Sequence, residues 1–304
     1  MPEELDELNR LFTSKNAEDV IKFYDHFDNT EQLIQWMKNR PSAPMKIYEV
    51  GGDKDIVVVI PTANHDGEYA KNCADNIFKG QQIVFVESNG PFFNYARSCN
   101  FGLKYAFKYK PKWIVLSNDD VEKAGDMSKL KSELVKLDYK NTDIVLLKNS
   151  ESRPYDLSSV LVYETLLLHA YRKFAGSEMR VYQKLRDKFT LNLDVIGKRR
   201  FDKFSSKFLY NKIREFYGFF DFIIVNDEYL KTKHQFFDPN FVNGYEDHFL
   251  SYEFSEQHRH ISIIDFEISS VGGYTLGSGY MRRLKEIAPL IYFNYLLKNG
   301  ERKL

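Results

Sequence analysis

Short runs of β-branched and other apolar residues recur about every 30 residues in the first half of this 304-residue chain, a spacing typical of βαβ units. The clearest run is Ile56–Ile60, and later runs lie at 83–86, 113–116 and 143–147. Segments with helical periodicity separate them, at about 68–78, 93–109 and 124–137. This alternation predicts an α/β fold with a mostly parallel, doubly wound central sheet that is flanked by helices.

The remaining segments are predicted to be helical additions to this α/β domain. The sequence pattern divides the chain into a helical N-terminal appendage, a first α/β half, a basic helical insert, a second α/β half and a C-terminal amphipathic helix, at 1–50, 51–150, 151–216, 217–280 and 281–304. The basic helices have two interpretations: a solvated face over a core stripe, or a surface for an anionic membrane or acceptor.

Charge and cysteine content narrow the class of protein. Lys plus Arg and Asp plus Glu both number 43, so no net positive charge favours nucleic-acid binding. The two cysteines form no disulfide framework, which favours a reducing compartment. No apolar run reaches the roughly 20 residues that span a bilayer, and the acidic start does not resemble a signal peptide. We therefore expect a cytoplasmic chain, with peripheral contact at the inner membrane surface as its closest approach to a bilayer.

Acidic and polar side chains follow the predicted strands. Glu87 ends the second run, Asn118-Asp119-Asp120 follows the third, and Glu246-Asp247 enters a later helix. Ligands of open α/β sheets bind outside the carboxyl ends of the strands, where these residues fall. Adjacent carboxylates repel each other, so a cation or solvent must compensate them, and the Asn-Asp run alone is also compatible with a solvated turn.

Five stretches combine into a recognisable series. Val58–Asn64 is a strand ending in Pro-Thr, Val84–Gly90 is a strand ending in an acidic residue and a small turn, and Ala96–Gly102 reads Ala-Arg-x-x-Asn-x-Gly. Leu116–Val121 carries the acidic run, and Phe237–Leu250 reads Phe-Asp-x-x-Phe…Glu-Asp-x-x-Leu. In order and flanks the series resembles the GT-A-fold inverting glycosyltransferases of the large family 2 type, which includes rhamnosyltransferase-like enzymes. The resemblance extends over about 55–149 and 216–275.

The resemblance implies a GT-A (Rossmann-like) domain that moves a sugar from a nucleotide-diphosphate donor to an acceptor hydroxyl with inversion. The acceptor would be a glycan or a lipid-linked molecule, and Mn²⁺ or Mg²⁺ would offset charge on the leaving diphosphate. Asp120 would bind that metal. The resemblance also implies a set of residues that bind the nucleotide sugar: Pro61, Thr62, Asn64, Glu87, Arg97, Asn100, Asn118 and Asp119.

Individual roles follow from the same resemblance. Glu87 would meet the base or ribose, and Arg97 would pair with the diphosphate or hold the acidic cluster. Asp247 would be the general base that takes the acceptor proton, and Glu246 would help to position it. The chain departs from the family pattern at Asn118, the first position of the Asp-x-Asp motif, and at Ser269–Gly273, where a late His is common.

Other functions remain open at this point. One is a GT-A-like module that binds a nucleotide sugar without turnover. A second is a sugar-phosphate nucleotidyltransferase, which needs a basic, Gly-rich loop after the first strand; Asn64–Glu68 has one Gly and no Lys. A Rossmann oxidoreductase is disfavoured because no Gly-x-Gly-x-x-Gly follows a strand.

Overall fold

The computed structural model describes residues 2–148, 222–242, 244–270 and 279–299. The basic insert predicted at 151–216 and the loop predicted at 271–274 lie outside the described residues. Three helices open the chain, as its periodicity predicts: α1 (Pro2–Thr13), α2 (Ala17–Asp25) and α3 (Thr30–Asn39).

The α/β region follows in two parts. Its first part contains β1 (Lys46–Val50), β2 (Asp53–Thr62), α4 (Glu68–Asn72) with a π-helical turn (Cys73–Ile77), β3 (Gln81–Glu87), α5 (Tyr95–Ala106), β4 (Trp113–Ser117), β5 (Val121–Ala124), α6 (Met127–Val135) and β6 (Ile144–Leu147). Its second part contains β7 (Phe222–Asn226), α7 (Asp227–Lys231), α8 (Glu246–Glu256), β8 (Ile261–Ile264) and β9 (Ile268–Ser270). Helices α9 (Gly279–Lys285) and α10 (Ile287–Asn299) complete the described chain.

The central sheet has the order β1-β3-β2-β4-β7-β6-β8 among the described residues. Strands β2, β3, β4, β6 and β8 run in one direction, which confirms the expected α/β class with a largely parallel core. The sheet is nevertheless mixed, because β1 and β7 run in the opposite direction. Strands β5 and β9 form a separate antiparallel pair.

Helices cover both faces of the sheet, as a doubly wound arrangement requires. Helices α5, α7 and α8 pack on one face, and α4 with its π-helical turn and α6 pack on the other. Helix α5 approaches closely at Gly102, where an added Cβ would lie 2.4 Å from Val59 Cγ1 and 2.6 Å from Val86 Cγ2. The glycine of the Ala-Arg-x-x-Asn-x-Gly stretch therefore allows α5 to rest against β2 and β3.

The N-terminal and C-terminal helices share one hydrophobic core. Phe23, Tyr24 and Trp36 of the first three helices pack with Ile291 and Phe293 of α10, and all five are buried. The Tyr24 hydroxyl also donates a 2.7 Å hydrogen bond to the carbonyl of Leu284. The apolar side of the predicted C-terminal amphipathic helix thus packs within the protein. In the described part of the chain, no helix is long and apolar enough to cross a membrane.

We predict that Gly102→Ala destabilises the protein by about 1–3 kcal/mol, because the new methyl group overpacks the contact between α5 and the sheet. Urea unfolding measures the effect. Gly51→Ala is the matched control, since a Cβ there meets no atom within 4 Å. Equal unfolding midpoints for the two variants would contradict the close approach at Gly102.

Candidate functional site

The carboxyl ends of β2 and β4 form the centre of the candidate site. The chain leaves β2 towards β3 on one side and returns past it to β4 on the other, which makes this pair the topological switch point of the sheet. Thr62 ends β2, and its hydroxyl donates a 2.6 Å hydrogen bond to Oδ2 of Asp119, just beyond β4. The structure therefore brings together two residues that the sequence placed at a nucleotide site.

Two side chains, one at the end of α4 and one in its π-helical turn, donate hydrogen bonds to the backbone around the acidic loop after β4. The Asn72 side chain donates to the carbonyl of Val121 at 3.1 Å, and the Cys73 thiol donates to the carbonyl of Asp119 at 3.3 Å. Burial raises the pKa of Asp119, although the Thr62 hydroxyl opposes this shift. Burial and the nearby charges of Asp119 and Asp120 raise the pKa of Cys73 to about 12, so the thiol stays protonated as a donor.

Glu87 lies beside Thr62, since the register of β2 and β3 pairs these two residues. Its Oε2 accepts hydrogen bonds from the His65 backbone at 3.1 Å and from the His65 ring at 2.6 Å. The hydrogen bond from the His65 ring is the main reason that the pKa of Glu87 is lowered. The same ring stacks on Tyr48 with a centroid separation of 3.3 Å. The sequence analysis missed His65 and Tyr48, because only the pairing of β1 with β3 brings them together.

Pro61 and Asn64 lie on either side of Thr62 and differ in exposure. Pro61 is buried within β2 opposite Val86, and the strand ends at the next residue, Thr62. Asn64 is exposed, and its side chain accepts from the backbone of Asp66. A cleft of about 340 Å³ adjoins this loop, lined by Tyr48, Glu49, Val50, His65, Asp66, Ala70, Lys71, Ala74 and Phe85.

Three polar side chains of α5 hold the backbone of the segment 236–241. Asn94 donates to the carbonyls of Pro239 and Phe241 at 3.1 and 2.7 Å, and Arg97 Nε donates to that of Pro239 at 3.2 Å. Asn100 donates to the carbonyl of Phe237 and accepts from the backbone of Phe236 and Phe237. We call this set of contacts the α5 clamp.

In the α5 clamp, Arg97 and Asn100 have other partners than the diphosphate and the acidic loop that the resemblance implied. The described contacts of the Arg97 guanidinium go to the carbonyls of Arg40 and Pro239 and to the Ser42 hydroxyl, not to the acidic loop. The described contacts of Asn100 likewise go to backbone groups of 236–237. Backbone carbonyls attract these donors because the segment 236–241 lacks regular secondary structure of its own. Both residues therefore hold the backbone of the segment 236–241.

A second acidic cluster opens α8, where the sequence placed the catalytic carboxylates. Glu246 is buried, and its Oε2 accepts a 2.8 Å hydrogen bond from the backbone of Gly244. Asp247 Oδ1 accepts from the backbone of His248 at 2.8 Å and from its ring Nδ1 at 2.7 Å. No sequence pattern indicates a role for His248. When it is protonated, its ring forms an ion pair with the carboxylate of Asp247.

The charged groups of this cluster shift one another's pKa values. Burial, together with the adjacent Asp247 carboxylate, raises the pKa of Glu246 to about 7. Burial alone would lower the pKa of His248, but Asp247, Glu246 and Glu286 outweigh it, so the pKa of the imidazole is raised. The protonation of Glu246 therefore changes near neutral pH.

Tyr95 and Cys99 on α5 connect the two acidic clusters. The Tyr95 hydroxyl donates a 2.8 Å hydrogen bond to Oδ1 of Asn118, in the loop after β4. Burial raises the pKa of the Cys99 thiol well above its usual range, a hydrogen bond with Tyr95 opposes that effect, and the charge of Glu246 adds to it. Both clusters consequently border α5.

The oxygen atoms of the loop after β4 fit a hard divalent cation in chemical type. Asn118, Asp119 and Asp120 supply amide and carboxylate oxygens, the ligands that Mg²⁺ and Mn²⁺ prefer. Among the residues that the structure describes, no group of three or more His, Cys, Asp or Glu side chains could hold a metal. A cation here would need oxygen atoms from a diphosphate or water to complete its coordination, which is the usual arrangement for Mg²⁺.

No protein-family model, curated protein or solved structure matches this chain.

We predict that Asn100→Ala destabilises the protein by about 2–3 kcal/mol, because it removes partners from three backbone groups of 236–237. Urea unfolding measures the loss, and Asn76→Ala, at an exposed position, is the control. If the two variants unfold at the same urea concentration, the α5 clamp contributes nothing to stability.

We predict that the difference in unfolding free energy between Glu246→Gln and the wild type increases in favour of the variant as the pH rises. A carboxyl group whose folded-state pKa is raised from 4.5 to about 7 contributes stability below pH 4.5 and loses it through pH 7. The gain at pH 8 should be on the order of 1–3 kcal/mol. Unfolding at several pH values measures it, with exposed Glu122→Gln as the control. A constant difference between pH 4 and 8 would contradict the shift.

Proposed function

We propose that this protein is an inverting glycosyltransferase that takes its sugar from a nucleotide-diphosphate donor. The observation that carries the proposal is the hydrogen bond of 2.6 Å between Thr62 and Asp119. It joins the ends of two parallel strands at the switch point of the sheet, where nucleotides bind in open α/β folds. The five-part sequence resemblance supplies the reaction class.

The donor side of the proposed site is the loop after β4 together with the ends of β2 and β3. Glu87 is held by His65, and so its carboxylate is fixed to accept from a base or ribose. Asp119 is held by Thr62, and Asp120 next to it is the proposed metal ligand. A bound Mn²⁺ or Mg²⁺ would supply charge neutralisation for the leaving diphosphate.

The acceptor side of the proposed site is the start of α8. Asp247 provides the base that an acceptor hydroxyl needs for in-line attack. The buried Glu246 lies beside it with a carboxyl group of raised pKa. The α5 clamp fixes 236–241, five residues before Glu246, and thereby fixes how α8 faces the donor side.

We expect one of UDP, GDP and dTDP to bind in calorimetric titrations with Mn²⁺ present, and binding to weaken at least tenfold in Asp120→Asn. The reason is that the metal links the carboxylate to the diphosphate. Asp75→Asn, at an exposed position, is the control and should bind like the wild type.

Two outcomes would redirect the proposal. Nucleotide binding without release of sugar from any donor would favour a nucleotide-sugar-binding module. No binding of the three nucleotides, with or without Mn²⁺, would overturn the transferase.

A further inference from the structure

His248 occupies a position that the proposed function has not yet used. Its Nδ1 lies 2.7 Å from Oδ1 of Asp247, and a carboxylate oxygen accepts hydrogen bonds, so Nδ1 carries the hydrogen. This bond fixes the tautomer of the neutral ring, with the lone pair on Nε2. About a fifth of the imidazole side chain is exposed, which gives solvent or a substrate access to the ring.

Asp247 is a weaker candidate for the base than the sequence suggests. Its Oδ1 accepts two hydrogen bonds, one from the backbone of His248 and one from the ring. An oxygen that already accepts two hydrogen bonds has little lone-pair capacity left for the proton of an acceptor hydroxyl. An imidazole oriented by a carboxylate, in contrast, is a standard arrangement for accepting a proton from a hydroxyl near neutral pH.

We propose that His248 is the general base of the transfer and that Asp247 is its positioning residue. Nε2 takes the proton of the acceptor hydroxyl while the acceptor oxygen forms its bond to the anomeric carbon. The bond from that carbon to the diphosphate oxygen breaks, and its electron pair leaves with the diphosphate. The resulting imidazolium is paired with Asp247. This inference rests on the proposed function and changes the identity of its base.

The charges around the ring favour this role. Asp247 and Glu246 face it from α8, Glu286 faces it from the turn between α9 and α10, and the Tyr245 ring lies 4.8 Å away between centroids. The three carboxyl groups stabilise a positive imidazole, and the pKa of His248 is raised despite its burial. The ring therefore gains a proton more readily than an ordinary histidine.

The pH dependence of the reaction separates the two candidate bases. If His248 is the base, kcat/KM rises with pH through the raised pKa of the ring and levels off above it. If the ring is not the base, the rising limb that follows the titration of His248 is absent from the profile. Release of the nucleoside diphosphate from UDP-glucose, GDP-mannose or dTDP-glucose, with Mn²⁺ and water as the acceptor, gives the profile.

The variant His248→Asn discriminates further. Its amide can still donate to Asp247 but cannot take up a proton, so we expect a rate loss of about 10²–10⁴-fold. Asp247→Asn should also slow the reaction and move the rising limb to lower pH. His260→Gln, at an exposed position, should behave like the wild type. NMR titration of the His248 ring in the wild type and in Asp247→Asn tests the pair without any activity.

Each outcome bears on a distinct conclusion. A level pH profile, or His248→Asn within threefold of the wild type, would overturn His248 as the base while the transferase stands. An unchanged ring titration in Asp247→Asn would overturn the pair itself. Absence of nucleotide binding and of diphosphate release would overturn the transferase, and the role of His248 in it.

Discussion

The α5 clamp is the interaction on which the arrangement of the site depends. Helix α5 lies against β2 and β3 because Gly102 permits close contact, and its polar edge faces a segment more than 130 residues later in the chain. Asn94, Arg97 and Asn100 satisfy backbone groups of 236–241 that have few other means of being satisfied. Helix α8 begins five residues beyond this segment and packs on the same face of the sheet through Leu250 and Phe254.

Burial raises the pKa of carboxyl groups in both acidic clusters of the site. Asp119 and Glu246 both have raised pKa values, each with burial as the largest cause. Unlike the surface ion pairs, these carboxyl groups are held partly out of water, where a positive ligand or proton is favoured. His248 responds to the same field with a raised pKa. The two acidic clusters thus have different neighbouring residues, but each contains a carboxyl group that is partly buried from water.

The sequence predicted the buried strands of the sheet well, but it predicted their pairing and direction less completely. Runs such as Ile56–Ile60 are apolar on every side because helices cover both faces, and this leaves a clear pattern. Strand β1 was missed since Lys46–Val50 is short, contains two charged residues and is mostly exposed, and it forms a strand by pairing with β3. The reversed direction of β7 could not be predicted, because a strand's residues record its burial and not its orientation. The meeting of Thr62 with Asp119 was foreseeable, as parallel strands end at a common edge.

The surroundings of individual side chains were harder to foresee. Arg97 and Asn100 match a motif, but their contacts lie with 236–241, and no local pattern reveals a partner so distant in sequence. His248 is adjacent to Asp247, yet whether neighbouring side chains meet depends on rotamers that the helix start selects. His65 reaches Glu87 from the loop between β2 and α4, and Tyr48 of β1 stacks on its ring.

The shared core of α1–α3 and α10 has a consequence for biosynthesis. Phe23 and Trp36 are translated long before Ile291 and Phe293, so an emerging chain exposes one side of this core while the α/β domain is being made. Contacts of such sequence separation form late and leave apolar surface open to aggregation in the meantime. The buried sides of the first three helices therefore lack their partner until residues 291–293 have been synthesised.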